Sequence, residues 1–289
     1  MRLAVEALEP REVPSAAALL LEGFDQIGRD LPADWAQWSN QPAGAFAVAP
    51  NQGLASRAGL VSGGASGTEA RAWAGAALPA DVRASVAIYL DSLVPATLFV
   101  RGQKLDTAAP SFYGVSVTRG AEVNLIRVID GQATVLGTVR SSEWLSGQWV
   151  RVSLTAEGDT LRARVFRTDT GQYLNAKGAW QGAPADALVV TDAALPGPGH
   201  AGVARPARVA GSAAFDGFEV TAPSAAEPPP TTVHEQNFDR AGAGLPAGWK
   251  QWANPASLGF HTDRELSLGG SGALRSEGSS LGVARAWLG

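Results

Sequence analysis

Arginine, tyrosine and tryptophan are the residues of this chain best suited to hold a ligand. A guanidinium offers a fork of hydrogen-bond donors and an aromatic ring offers a flat apolar face; a hydroxyl-rich ring such as a sugar uses both. Arg83 and Tyr89 fall on one side of the alternating stretch 82–90. Arg101, Tyr113 and Arg127, together with Arg151, Arg162 and Arg164, fall in neighbouring stretches of the same character and are expected on the same wet surface. Trp144, in Ser141-Ser142-Glu143-Trp144, and Trp180, in Gly178-Ala179-Trp180-Gln181, lie in loop-like segments and are expected as platforms at the rim. The alternative for each is a solvated face or a loop anchor. Asp25 and Asp216 are carboxylates with a hard cation as one use and strand-end capping as the other. A histidine-centred triad finds little support. Of the three histidines, only His200 precedes residue 223, and Pro196-Gly197-Pro198-Gly199-His200 reads as a loop.

Composition narrows the classes of partner. The net charge of −4 gives no argument for nucleic acid. No stretch reaches the roughly 20 apolar residues that cross a bilayer, so membrane insertion is not expected. The chain has no cysteine, which removes disulfides and thiolate metal sites. Export remains compatible with that, because a module of about 200 residues buries enough surface to fold without crosslinks.

The elements that must position these residues read as strands. Positions 82, 84, 86, 88 and 90 are apolar and alternate with polar or small residues, the period of a sheet with one wet face. Similar runs cover 97–101, 113–118, 122–129, 133–139, 148–155, 160–167, 187–191, 199–204 and 213–221. Asp130-Gly131 between two of them predicts a tight hairpin. No window carries an amphipathic helix. About a dozen short strands with Gly- and Pro-marked turns predict an all-β, two-sheet antiparallel jelly-roll β-sandwich.

The chain also repeats itself. Segment 24–75 aligns without a gap on 238–289, with 21 of 52 positions identical, so a whole module starts a second time. The shared residues include Trp35, Trp38 and Ala70-Arg71-Ala72-Trp73, matched by Trp249, Trp252 and Ala284-Arg285-Ala286-Trp287. Trp35 and Trp38 are expected to build the module rather than touch a ligand. The expected organisation is an N-terminal export-type segment or tail (1–19), a sandwich (20–222), a Pro-rich linker (223–233) and the start of a second copy (234–289).

Two resemblances follow from motifs. Leu8-Glu9-Pro10-Arg11 with Val13-Pro14-Ser15 resembles the N-terminal segment of very large bacterial surface and adhesin-like proteins. It implies export and an extracellular or cell-surface location. Gly147-Gln148-Trp149-Val150-Arg151-Val152-Ser153-Leu154, followed by Gly158 and Leu161, is similar to the central hairpin of concanavalin A-like (laminin G-like) jelly rolls, and Phe215-Asp216-Gly217-Phe218-Glu219-Val220 resembles their closing strand. The second resemblance implies a module that binds a glycan or an extracellular protein. It also implies a calcium ion near the paired first and last strands, where Asp25 and Asp216 would be its ligands. Jelly-roll glucanases, the enzymatic alternative, usually carry alternating acids on one strand. Here Glu122-Val123-Asn124 has one acid and Asp169 stands alone, so no catalytic residue is nominated. A spacer repeat without ligand is the third reading.

Overall fold

The computed structural model describes residues 18–25, 30–54 and 58–223, and the backbone of four strands beyond them. The first part runs through β1 (Ala18–Glu22), β2 (Trp35–Ser39), β3 (Ala47–Pro50), β4 (Ala58–Ser62), β5 (Ala70–Ala74), β6 (Val82–Tyr89), β7 (Ala96–Gln103), β8 (Ser111–Val117) and β9 (Glu122–Ile129). It continues with β10 (Gln132–Arg140), β11 (Trp149–Glu157), β12 (Thr160–Arg167), β13 (Gln172–Leu174), β14 (Trp180–Gln181), β15 (Leu188–Thr191), β16 (His200–Arg205) and β17 (Ala213–Thr221). The helical content among the described residues is one 3-10 turn, Pro42–Gly44.

These strands form a two-sheet antiparallel sandwich of jelly-roll type. One sheet runs β14-β13-β12-β11-β6-β17-β4-β3, with β1 added to β17 and β15 added to β12; the other runs β10-β9-β8-β7-β16-β5-β2. The alternation in β6 places Val82, Ala84, Val86 and Ile88 inward, where they meet the inward residues of the second sheet, among them Leu98, Val115, Val123 and Val203. The first and last strands pair, Leu20 opposite Val220.

Local chemistry sets the irregular points. Asp130 and Gly131 both take positive φ, 46° and 79°, which closes the β9–β10 hairpin with the twist its strands need. In β17, Phe215 and Phe218 are both buried although three residues apart, a spacing that regular alternation would send to opposite faces. A bulge between Asp216 and Glu219 resolves this, with Gly217 at φ 57°. Asp216 fixes the bulge: its Oδ1 accepts the Gly217 amide (2.7 Å) and its Oδ2 the Leu54 amide (2.6 Å). Trp35 is buried, edge-on to Phe24 and to Phe218 with centroids 5.1 Å away in each case. Trp38 faces the opposite way, onto the outer face of the seven-stranded sheet.

The C-terminal part is a separate compact unit beginning at Val233. It holds β18 (Trp249–Asn254), β19 (Phe260–Asp263), β20 (Ala273–Ser276) and β21 (Val283–Leu288). Their pairing follows the repeat. Trp252 stands opposite Arg285 as Trp38 stands opposite Arg71. Thr262 stands opposite Leu274 as Val48 stands opposite Leu60. The Leu8–Arg11 motif and the Pro228–Pro230 run lie outside the described residues.

Candidate functional site

A concavity of about 500 Å³ opens at one end of the seven-stranded sheet, on its outer side. Trp73 of β5, Ala77, the segment 102–106 that leaves β7, and Pro198, Gly199 and His200 leading into β16 line it. Each wall has a local cause. β7 bulges between Val100 and Gln103 against β8. Arg101 sits in that bulge at φ 54°. Gly102 and Gly199 permit a close approach here: a Cβ on Gly199 would lie 2.6 Å from the Arg101 carbonyl carbon, and one on Gly102 would lie 3.0 Å from the His200 oxygen.

The segment after β7 folds back over the sheet. Leu105 packs among Trp73, Phe99, Phe112 and Val128 in a small apolar cluster on this outer face. Arg71, itself buried, ties the segment down. Its Nε donates to the Leu105 oxygen (2.8 Å), its Nη2 to the Thr107 oxygen, and its Nη1 to Glu69 (2.8 Å), with the guanidinium 4.0 Å over the Trp38 ring. Burial lowers its pKa and Glu69 opposes that.

The polar lining consists of Gln103, Lys104, Asp106 and His200. His200 Nδ1 lies 3.0 Å from the Ala74 oxygen. A carbonyl only accepts, so Nδ1 carries the proton and Nε2 of the neutral ring is an acceptor. Lys104 Nζ reaches Asp130 at 2.7 Å, both groups well exposed. The lining therefore offers amide, ammonium, imidazole and carboxylate groups beside an indole edge. Asp106 is the carboxylate among the lining residues, and Asp130 is held at the margin by Lys104.

The residues nominated from sequence fall in several places. Arg83 and Tyr89 lie on the outer face of the ten-stranded sheet with Arg151, Arg162 and Arg164. Tyr89 packs on Trp149 at 5.3 Å. Arg151 lies flat across small neighbours, donating to Ser85 Oγ (3.0 Å) and to the Gly217 oxygen (3.3 Å). Desolvation lowers its pKa and that of Arg83.

Arg101 and Tyr113 do not share that surface. Arg101 is 2 % exposed and donates to the oxygens of Ala80, Leu195 and Gly158 and to Asp81. Tyr113 points inward; its hydroxyl accepts the Leu195 amide (3.0 Å) and donates to Asp192 Oδ1 (2.6 Å). Burial, followed by Asp192, pushes its pKa up to about 12. Arg127 pairs with the same Asp192 at 2.7 Å. These three brace the chain between β15 and β16, the segment that carries Pro198 to His200. Trp144 is 68 % exposed. Trp180 is instead in β14, half-buried, with its Nε1–H donated to Ser141 Oγ (2.8 Å).

Asp25 is exposed and Asp216 buried. The residues do not fit a calcium ion at Asp216. Calcium takes six to eight oxygens, both Asp216 oxygens already accept amide protons, and among the described residues no three His, Asp or Glu side chains converge. Sequence reasoning missed Gln103, Lys104, Asp106 and Trp73 as site residues, and read His200 as loop where it opens β16. The usable signal was Trp73 within the repeated Ala-Arg-Ala-Trp, whose β-period puts Arg71 and Trp73 on one face.

No family model matches the chain, and no curated protein matches it. Among solved structures, the chain is similar to a carbohydrate-binding module from Bacillus subtilis, at 12 % identity and TM-score 0.44 over 65 % of this chain and 96 % of that one. It is similar to a β-glucanase from Bacillus licheniformis, at 10 % identity and TM-score 0.46 over 72 % of this chain and 100 % of that one. It is similar to the Ca2+-bound exoplasmic/lumenal domain of VIP36, at 8 % identity and TM-score 0.46 over 72 % of this chain and 90 % of that one.

Proposed function

We propose that the chain is a non-catalytic glycan-binding β-sandwich module, one of a tandem set displayed on the surface of, or outside, a bacterial cell. The observation that carries this reading is the concavity at the end of the seven-stranded sheet. Its lining sets amide, ammonium, imidazole and carboxylate groups against tryptophan, the mixture that grips hydroxyls and ring faces together. Its one lining acid, with Asp130 bound to Lys104 at the margin, favours holding a sugar over cleaving it. The tandem arrangement is supported by the 21 shared positions and by the common strand register of the two copies.

The test is a glycan array probed with the full chain and with Gln103→Ala and Lys104→Ala, each in calcium and in chelator. Both side chains are exposed, so the variants keep the fold. Binding should weaken by about tenfold in each variant, the equivalent of one good hydrogen bond, and should persist in chelator. Loss in chelator would restore a calcium site to the account. Silence from folded protein would move the reading to a spacer. Release of reducing ends, abolished in Asp106→Asn, would make the chain a hydrolase.

A further inference from the structure

The opposite end of the sandwich carries a second constellation. β7 begins at Ala96, opposite Val117 of β8, and the turn that follows β8 holds Arg119 and Gly120. The concavity lies at the other end of β7. Eight residues separate the two ends, about 25 Å at 3.3 Å per residue.

Trp144 lies on this second end with the benzo part of its ring close against Gly120. A Cβ on Gly120, at φ 90°, would sit 2.6 Å from Trp144 Cζ3 and 2.8 Å from Cε3, so only glycine leaves room for the indole. The Gly120 amide donates to the Leu145 oxygen (2.7 Å), which fixes the loop bearing the ring to the turn beneath it. The indole is thus held against the turn and is still 68 % exposed. An exposed indole so held loses little further freedom when a ring stacks on it.

The Arg119 guanidinium lies over the ring, its Cζ 5.8 Å from the indole centroid. Its guanidinium makes one hydrogen bond among the described residues, a long one of 3.5 Å to the Asp91 carbonyl, and no ion pair with a carboxylate. Its Nε is buried and has no partner, which leaves the terminal amino groups to meet a ligand. Most arginines of the sandwich are committed otherwise: Arg71, Arg101, Arg127, Arg140, Arg162, Arg164 and Arg167 each pair with an acid. Leu93, 51 % exposed, lies in the adjoining loop, whose Ser92 oxygen accepts the Arg119 amide (3.1 Å).

We propose that Arg119 and Trp144 form a second ligand site, and that its ligand is an acidic glycan, a pyranose ring bearing a carboxylate. The CH face of the ring stacks on the indole and the carboxylate takes the terminal amino donors of Arg119, which no acid among the described residues occupies. This rests on the glycan-binding reading of the module but on a different end of the fold, so the two can fail separately. The overall charge of −4 opposes a polyanion at long range, so the attraction is local and weakens as salt screens it.

Affinity electrophoresis of the full chain tests this, in gels holding polygalacturonate, alginate, hyaluronan or neutral dextran, with each variant referenced to its own mobility in an empty gel. At least one acidic polymer should retard the chain more than dextran does. Trp144→Ala and Arg119→Ala should each weaken that retardation by about tenfold, and each by more than Lys104→Ala does. Methyl-esterified polygalacturonate should lose the part that depends on Arg119. Equal retardation of wild type and Trp144→Ala, or none in any acidic gel, overturns the proposal. So does retardation by dextran that depends on Trp144, which would make the platform one for neutral sugar. Loss with Lys104→Ala but not Trp144→Ala would assign the acidic ligand to the concavity instead.

Discussion

Asp192 holds together groups that come from two strands and a loop. Its carboxylate accepts from Tyr113, from Arg127 and from the Ala194 amide (3.0 Å). Burial alone would raise its pKa, but these donors outweigh burial and lower it. A carboxylate lowered in the folded state contributes stability above its unfolded pKa, about 3.9, and loses it as pH falls through the folded value. Asp192→Asn should therefore destabilise by roughly 1–3 kcal/mol at pH 7. In urea melts the gap to wild type should close as pH falls from about 5 to below 4. A gap independent of pH would mean that Asp192 acts by shape and not by charge. Because Leu195 hangs on both Tyr113 and Arg101, the same acid range should loosen the wall that carries Pro198 to His200. Tyr113 keeps its proton throughout that range, since its pKa is near 12, so the pH response belongs to the acid.

Bulges decide which side chains reach which face. In β17 the bulge at Gly217 turns Phe215 and Phe218 both inward and leaves Asp216 to receive two amides. Gly217→Ala should cost about 1 kcal/mol through its φ of 57°, where a side chain is strained. Its new Cβ would meet only Arg151 Nη2 at 3.1 Å, the end of a side chain that can shift. Thermal melts should show a loss of a few degrees with the fold kept; unfolding outright would mean that the bulge has no room to adjust. The bulge in β7 explains what sequence reading missed. Alternation from 82 to 90 is plain because one face of β6 meets water or small residues. In β7 seven residues in a row are buried, so no polar side marks the face, and the bulge at Arg101 resets it. Arg101 therefore looks like a surface arginine in sequence and is a four-acceptor brace in the fold. Gln103 to Asp106 carry no period at all: their position follows from Arg71 reaching across the sheet, a contact 34 residues long for its Nε bond. Asp130-Gly131, in contrast, was readable outright, since positive φ at two successive residues has a compositional signature.

The order of strands makes the module depend on its last one. β17 lies between β6 on one side and β4 and β1 on the other, so the final strand joins the earliest parts of the chain to the middle. Such pairings are long in sequence and their loop-closure entropy must be met before burial rewards it. β17 also supplies Phe215, Phe218 and Val220 to the core, and Phe218 is one of the two rings that hold Trp35. A chain ending at residue 210 should therefore lack cooperative folding, not merely stability. Its remaining strands would expose the edge of β6 and the inner faces of both sheets. Limited proteolysis and far-ultraviolet circular dichroism check this: the 210-residue chain should be cut rapidly and lack a melting transition, while one ending at 223 melts cooperatively. A cooperative melt from the shorter chain would show that the seven-stranded sheet folds by itself. The same dependence bears on the tandem reading. The described strands of the C-terminal unit pair as β2 with β5 and β3 with β4 do, each pair the outer margin of a different sheet in the sandwich. In the first module β16 and β17 are the strands that join those margins to the rest, β16 beside β5 and β17 beside β4. The Trp–Arg pairing thus recurs at the same register in both copies, Trp38 opposite Arg71 and Trp252 opposite Arg285.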